Sequence, residues 1–188
     1  MTQTVFLFDL DGTLLDTADD LVAALNHVRQ QEGLDVLPAE PLRLHASSGS
    51  RGLLAAGMDA PRDEQHHQQR VDCFLAYYAE NQLVYTKPYD GVLALLDWLQ
   101  DQSMPWGIVT NKSEQLTFPL LAQLGWDQLT NCIVCGDTTP HPKPHPLPVQ
   151  LALERLGVAA EFCWMIGDDI RDIQSGRAAG CRTAVAAW

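Results

Sequence analysis

The sequence predicts an α/β fold: a parallel β-sheet covered by helices on both faces, with a helical lobe inserted after the first strand. Three observations carry this. Beyond about residue 88, short apolar runs alternate with amphipathic helical stripes across short connections, the pattern of a sheet buried on both sides. From Asp16 to Gln82 no strand pattern is legible, only helical spacing. At 188 residues, 46% hydrophobic and 19% charged, the chain can fill one core and a small second lobe. The expected division is a core of residues 1–15 and 83–188 and a helical cap of residues 16–82.

In order along the chain, Thr4 to Phe8 reads as the first strand. The stretch DTADDLVAALNHVRQQEGL that follows opens on Asp and Thr, both capping residues. It places Leu21, Leu25 and Val28 on one face and stops at Gly33. RVDCFLAYYAENQ carries Val71, Phe74, Leu75 and Tyr78 at helical spacing, a further stripe within the lobe. Val92, Leu95, Leu96 and Leu99 mark a helix that leads into the strand WGIVT. The helix EQLTFPLLAQLG, with a kink expected at Pro119, leads into CIVCG. PVQLALERLG leads into FCWMIG, and DIQSGRAAG into RTAVAA. Five prolines from Pro140 to Pro148 make TTPHPKPHPLP a stiff, extended connection. They forbid the helix on which His141 and His145 could act as a zinc pair, so these two are expected to shape the loop.

A formal net charge of −12 argues against nucleic acid or an anionic membrane as partner. Lys87, Lys112 and Lys143 are the whole lysine supply, so a small anion must be held where one of them stands. No apolar stretch approaches the roughly 18 residues of a membrane span. The N-terminus lacks the basic region of a secretory signal, and the expected location is the cytoplasm. Cys132 and Cys135 lie three apart on an expected strand and face opposite sides, which suits buried reduced thiols rather than a disulfide or shared zinc.

In an open α/β sheet, ligands bind at the carboxyl ends of the strands. After the first strand come Asp9, Asp11, Gly12 and Thr13; after the second, Thr110, Asn111 and Lys112. Gly136 and Asp137 follow the third, ahead of the loop that holds Lys143, and Gly167, Asp168, Asp169 and Asp172 follow the fourth. Phosphoryl transfer from a monoester wants this set, because a phosphate dianion repels an attacking carboxylate unless a divalent cation neutralises both. Magnesium suits, held by Asp9 and Asp168. Asp9 could attack phosphorus to give an aspartyl-phosphate, and Asp11 could protonate the leaving alkoxide and later activate water. Thr110 can donate a hydrogen bond and Lys143 can neutralise the equatorial oxygens.

DLDGTLLDT at 9–17, VTNK at 109–112, Lys143 in HPKPHP and GDDIRDIQSGRAAG at 167–180 resemble, in order and over essentially the whole chain, the four motifs of the haloacid dehalogenase-like phosphatases. The likeness is closest to the phosphoglycolate phosphatase group. It implies a Rossmann-like core with an α-helical cap inserted after the first strand. By motif position it makes Asp9 the nucleophile and Asp11 the acid/base, with the Asp11 backbone carbonyl also on magnesium. Asp168 becomes the acidic metal ligand and Asp172 an acid supporting it from behind. Thr110, the Asn111 backbone and Lys143 become the holders of the phosphate, and Thr13, in the turn after the first strand, is a further candidate for binding substrate. The family also continues past this point with a further strand and helix, so the expectation is a shortened chain or an early end to the fold, with a strand edge open to self-association.

The expected substrate is a small phosphorylated metabolite, phosphoglycolate first, with the cap loop ASSGSRG reading it. There Gly49 permits close backbone approach and Arg51 is a fork-shaped anion binder. A sugar phosphate such as N-acetylmuramic acid 6-phosphate is the close rival, and a phosphomutase or an inactive binding remnant are the others. Dehalogenation has no use for Asp11 or magnesium. Lys112 is expected to be solvated, Asp169 to be structural or to support the site from behind rather than to bind the ion, and the oligomeric state is not legible.

Overall fold

The computed structural model describes residues 4–188. Two compact units form: one from the segment ending at Leu15 together with Pro88–Trp188, the other from Asp16–Lys87. The chain crosses between them in two-residue strands, β2 (Leu15–Asp16) and β3 (Lys87–Pro88), which pair with each other. The second crossing lies five residues beyond the expected one. The reason is Asp20, a buried carboxylate that accepts hydrogen bonds from the backbone N–H groups of Tyr85 (3.0 Å) and Thr86 (2.8 Å) and so holds residues 83–87 in the helical unit.

The first unit is built on a five-stranded sheet with order β5-β4-β1-β6-β7, from β1 (Val5–Phe8), β4 (Trp106–Val109), β5 (Cys132–Val134), β6 (Cys163–Gly167) and β7 (Arg182–Val185). All neighbouring strands run parallel, with Phe8 opposite both Ile108 of β4 and Ile166 of β6. Strands β4 and β5 extend the sheet to one side of β1, and the chain then returns to add β6 and β7 on the other. The order reverses at β1, and at such a reversal an open sheet has its crevice. The connecting helices are α4 (Val92–Asp101), α5 (Glu114–Leu124), α6 (Leu147–Leu156) and α7 (Ile170–Ala178). Val5, Leu7, Val134, Val149, Ala152 and Met165 belong to one continuous apolar core in this unit. Helix α5 runs through Pro119 without interruption. Cys132 and Cys135 are buried free thiols.

The second unit is helical: α1 (Ala18–Gln31), a 3-10 stretch over Glu40–Ser48, α2 (Gly49–Gly57) and α3 (Glu64–Asn81). Leu21, Leu25, Leu53, Leu54, Phe74 and Tyr78 form its buried positions. A methyl group on Gly57 would lie 2.4 Å from the end of the Leu25 side chain, which would have to turn aside for any larger residue. Leu75, placed on the buried stripe by spacing alone, is exposed in α3. There the inward face is narrower and includes Arg70 instead.

Arg70 is nearly buried and grips Glu32 with two 2.7 Å hydrogen bonds, while His66 meets the same carboxylate at 3.0 Å. The hydrogen bond from Arg70, assisted by His66, holds the Glu32 carboxyl down to about 2, against the opposing effect of burial. The folded-state value lies below that of the unfolded chain. Its stabilisation is therefore fully present above about pH 4.5 and is lost as pH falls toward 2. Glu32→Gln should cost about 1–3 kcal/mol at pH 7, since it leaves the Arg70 guanidinium without its charge partner. Urea unfolding at pH 7 and pH 3 checks this: the gap between wild type and variant should narrow at the lower pH, and a gap independent of pH would locate the effect in packing.

Candidate active site

The site forms where β1, β4 and β6 end. Asp9 follows the last residue of β1, and its backbone N–H donates to the Ile166 carbonyl of β6 (2.9 Å), fixing the position where its side chain leaves the sheet. One carboxylate oxygen accepts from the Leu10 N–H at 2.7 Å and also meets the Lys143 ammonium at 2.9 Å. Gly12 then turns the chain at φ +82, a conformation that disfavours a side chain. A methyl group there would also lie 2.4 Å from a carboxylate oxygen of Asp168. The Gly in DLDG thus both makes the turn and gives Asp168 its room.

Lys143 is the most constrained group in the site, with 1% of its side chain exposed. Its ammonium lies 2.9 Å from Asp9, 2.6 Å from Asp172 and 2.5 Å from the Val109 carbonyl at the end of β4. Three acceptors match its three donors. Asn111 clamps the lysine's own backbone, donating to its carbonyl at 2.9 Å and accepting from its N–H at 3.0 Å. The proline-rich loop is thereby pinned to the loop after β4. Gly136 completes the junction, since a methyl group on it would stand 2.3 Å from the Asn111 carbonyl oxygen.

Asp168 follows β6 and accepts from the Thr13 hydroxyl at 2.8 Å. Thr13, expected to touch substrate, is buried and directs its hydroxyl proton to this carboxylate instead. Asp172 has two roles. One of its oxygens accepts from the Asp169 N–H in the capping box that opens α7, and the other meets Lys143. Asp169 is structural, as expected: it caps α7 and is paired with Arg171, whose hydrogen bonds hold its carboxyl below the usual range.

Lys112 departs from expectation. It is not solvated: its side chain is 5% exposed and its ammonium meets Asp11 at 2.9 Å. The VTNK motif places the residue after β4, but only the tertiary fold turns its side chain back toward the β1 turn. Thr110 is buried, and its hydroxyl oxygen accepts from the Lys112 N–H (3.1 Å), which leaves the hydroxyl hydrogen to be donated elsewhere. Gly49, at φ +63, and the exposed Arg51 lie in the first turn of α2 in the other unit.

Burial raises the Asp9 carboxyl to about 6, with Asp172 and Asp11 adding to the shift and Lys143 opposing it. Asp172 is likewise raised by burial against the pull of Lys143. Burial disfavours the charge on Lys143, but Asp9 and Asp172 outweigh it and raise its value. The acids thus stand crowded, short of positive charge.

Carboxylate oxygens of Asp9, Asp168 and Asp172 lie within 4.8 Å of one another. Magnesium takes oxygen ligands at about 2.1 Å, so opposite ligands stand roughly 4.2 Å apart, and small side-chain rotations would bring these donors onto one ion. Both oxygens of Asp172 are engaged, one by the Asp169 N–H and the other by Lys143. The donor set fits a hard dication.

The family model for haloacid dehalogenase-like hydrolases matches residues 6–186. A phosphoglycolate phosphatase from Xanthomonas campestris is 43% identical over 182 residues, covering 97% of this chain and 82% of that protein. An N-acetylmuramic acid 6-phosphate phosphatase from Pseudomonas aeruginosa is 38% identical over 188 residues, covering 98% and 81%. Among solved structures, a predicted phosphoglycolate phosphatase from Haemophilus somnus superposes with a TM-score of 0.86 at 25% identity, covering 97% of this chain and 84% of that one. With the motifs, the sheet order and the acid cluster all in place, the chain belongs to the haloacid dehalogenase-like hydrolases, in company with relatives named as phosphatases.

Proposed function

We propose that this protein is a magnesium-dependent phosphoric monoester hydrolase of small phosphorylated metabolites, working through an aspartyl-phosphate on Asp9. The observation that supports it most is Asp9 itself: a nearly buried carboxylate at the end of the central strand, held by a fixed ammonium, with oxygens of Asp168 and Asp172 within 4.8 Å.

Asp9 and Asp168, with the Asp11 backbone carbonyl, would hold the ion. Bound magnesium supplies the positive charge that lets a carboxylate approach a phosphate dianion. Lys143 and the Leu10 N–H fix the attacking carboxylate, so little orientation is left to be found when substrate arrives. The second Asp9 oxygen attacks phosphorus as the ester P–O bond breaks, and Asp11 delivers its proton to the departing alkoxide oxygen. Asp11 then takes a proton from water as that water attacks the aspartyl-phosphate, releasing inorganic phosphate and restoring the Asp9 carboxylate. Thr110 donates its hydroxyl hydrogen, and Asn111 its backbone N–H, to the phosphoryl oxygens. Asp172 acts through Lys143. Gly49 and Arg51 are the candidates for reading the rest of the substrate, Arg51 by pairing with a carboxylate such as that of phosphoglycolate.

Phosphate release from a panel of esters containing 2-phosphoglycolate and N-acetylmuramic acid 6-phosphate, with magnesium or with chelator, tests this reading. Turnover of at least one ester should fall by about 100-fold or more in chelator. Preference within the panel decides between a two-carbon acid and an amino-sugar substrate. Transfer of the phosphoryl group to a second hydroxyl, without release, would assign a phosphomutase. A folded protein that turns over no ester would leave a binding remnant as the better account. The chain's five cysteines are all free, which fits a reducing compartment, and among the described residues no helix is long and apolar enough to cross a membrane.

A further inference from the structure

We infer that Lys112 is a positioning residue for the proton-transfer step: it holds Asp11 by one carboxylate oxygen so that the other is presented to the leaving group. The inference rests on the proposed phosphatase reading. Three features support it. First, the Lys112 ammonium lies 2.9 Å from Asp11 Oδ1 across the gap between the loops after β4 and β1, and the lysine side chain is 5% exposed. A four-carbon stem held that far out of water is not a mobile surface arm. Second, the backbone of Lys112 is fixed independently of its side chain. Its N–H donates to the Thr110 hydroxyl at 3.1 Å and its carbonyl accepts from the Gly136 N–H at 2.9 Å. The lysine is therefore placed by the same two loops that place Thr110 and Lys143.

Third, Asp11 needs such a partner. It stands in the turn Asp9–Gly12, with 19% of its side chain exposed, and its carboxylate is held across the gap by the Lys112 ammonium. Proton transfer needs a donor within hydrogen-bond reach of the leaving oxygen, and a rotamer change removes it. Lys143 cannot do this work, because Asp9, Asp172 and the Val109 carbonyl match its three donors. The two lysines of the site divide between the two acids: Lys143 on the attacking group, Lys112 on the proton carrier.

Substrates that differ in their need for a proton separate this role from others. An alkyl phosphate must have its leaving oxygen protonated, whereas p-nitrophenyl phosphate releases a stable phenolate unaided. The measured quantity is kcat/KM with magnesium present, since it reports the steps up to departure of the leaving group and not the later hydrolysis. Lys112→Met, which keeps the stem, should lower kcat/KM for the best alkyl phosphate by about 10- to 100-fold and that for p-nitrophenyl phosphate by less than about threefold. Lys112→Arg should recover part of the loss. In an Asp11→Asn background the Lys112→Met change should cost nothing further on the alkyl phosphate, because the group it positions is gone.

Equal losses on both substrates would overturn the inference, placing Lys112 on the phosphate or in fold support. Undiminished activity on both would overturn it as well. If Lys112→Met fails to fold, Lys112→Gln carries the same comparison, with Lys112→Arg as its partial rescue. Wild-type protein that releases phosphate from neither substrate would be a failure of the phosphatase reading itself, seen before any variant is made.

Discussion

Asp9→Asn should leave the fold intact and reduce phosphate release by on the order of 10,000-fold or more, the scale on which enzymes lose rate with their nucleophile. The substitution is a stringent test because the structure gives it little else to disturb. An amide oxygen at this position can still accept from the Leu10 N–H and from Lys143, and Lys143 keeps Asp172 and the Val109 carbonyl. Asp9 is also a carboxylate that burial makes costly to ionise, so a neutral replacement should lower stability little or raise it. Rapid acid quench with phosphorus-labelled substrate should trap label on the wild-type protein, sensitive to hydroxylamine as an acyl phosphate is, and none on the variant. Loss of both turnover and label with a melting temperature close to or above that of the wild type supports attack by Asp9. Turnover that survives unchanged would exclude the covalent route and leave Asp9 as no more than an ion ligand.

The parts of the fold legible in the sequence were those that repeat a strong signal. Strands β1, β4, β5 and β6 are apolar runs that end abruptly in Asp, Thr, Gly or Asp, as strands buried on both faces must. Their ends are therefore legible as one rim from the sequence alone. That Asp9, Lys143, Asp168 and Asp172 meet there follows from parallel strands whose order reverses at β1. Side-chain direction was not legible. Lys112 and Lys143 are both lysines in polar loops, and nothing local says that one returns to Asp11 while the other is enclosed between Asp9 and Asp172. Thr13 looks like a phosphate contact by its place in the turn, yet its hydroxyl reaches Asp168 from 155 residues away in sequence. The β2–β3 crossing is not legible because two residues carry no periodicity, and the placement of residues 83–87 depends on hydrogen bonds to the buried Asp20 from far along the chain. Local pattern fixes where a group leaves the backbone; the partners that decide its chemistry come from elsewhere in the chain.

Lys143→Met should be the most destabilising single change in the site, about 3–5 kcal/mol near neutral pH, and should remove activity as well. The cost arises from what remains rather than from what is removed: Asp9 and Asp172 would stand side by side in a nearly closed space with no cation between them, and the Val109 carbonyl would lose a donor. The pH dependence identifies this cause. In the wild type without metal, burial already raises Asp9 to about 6 from an ordinary value of 3.8. The folded state then keeps a proton that the unfolded chain has lost, so stability falls as pH rises between those two values. Lys143 draws both Asp9 and Asp172 down. Without it both carboxyls rise further, and the range over which rising pH destabilises the protein extends to higher pH than in the wild type. Measured in chelator, the stability gap between wild type and variant should widen steadily from about pH 5 to pH 8, because at low pH the two acids can take up protons and no longer need the ammonium. A gap equal at both ends of that range would mean that the lysine stem, not its charge, supports the fold. Lys143→Arg should not restore activity, since the larger planar guanidinium does not fit a space whose three acceptors suit one small ammonium.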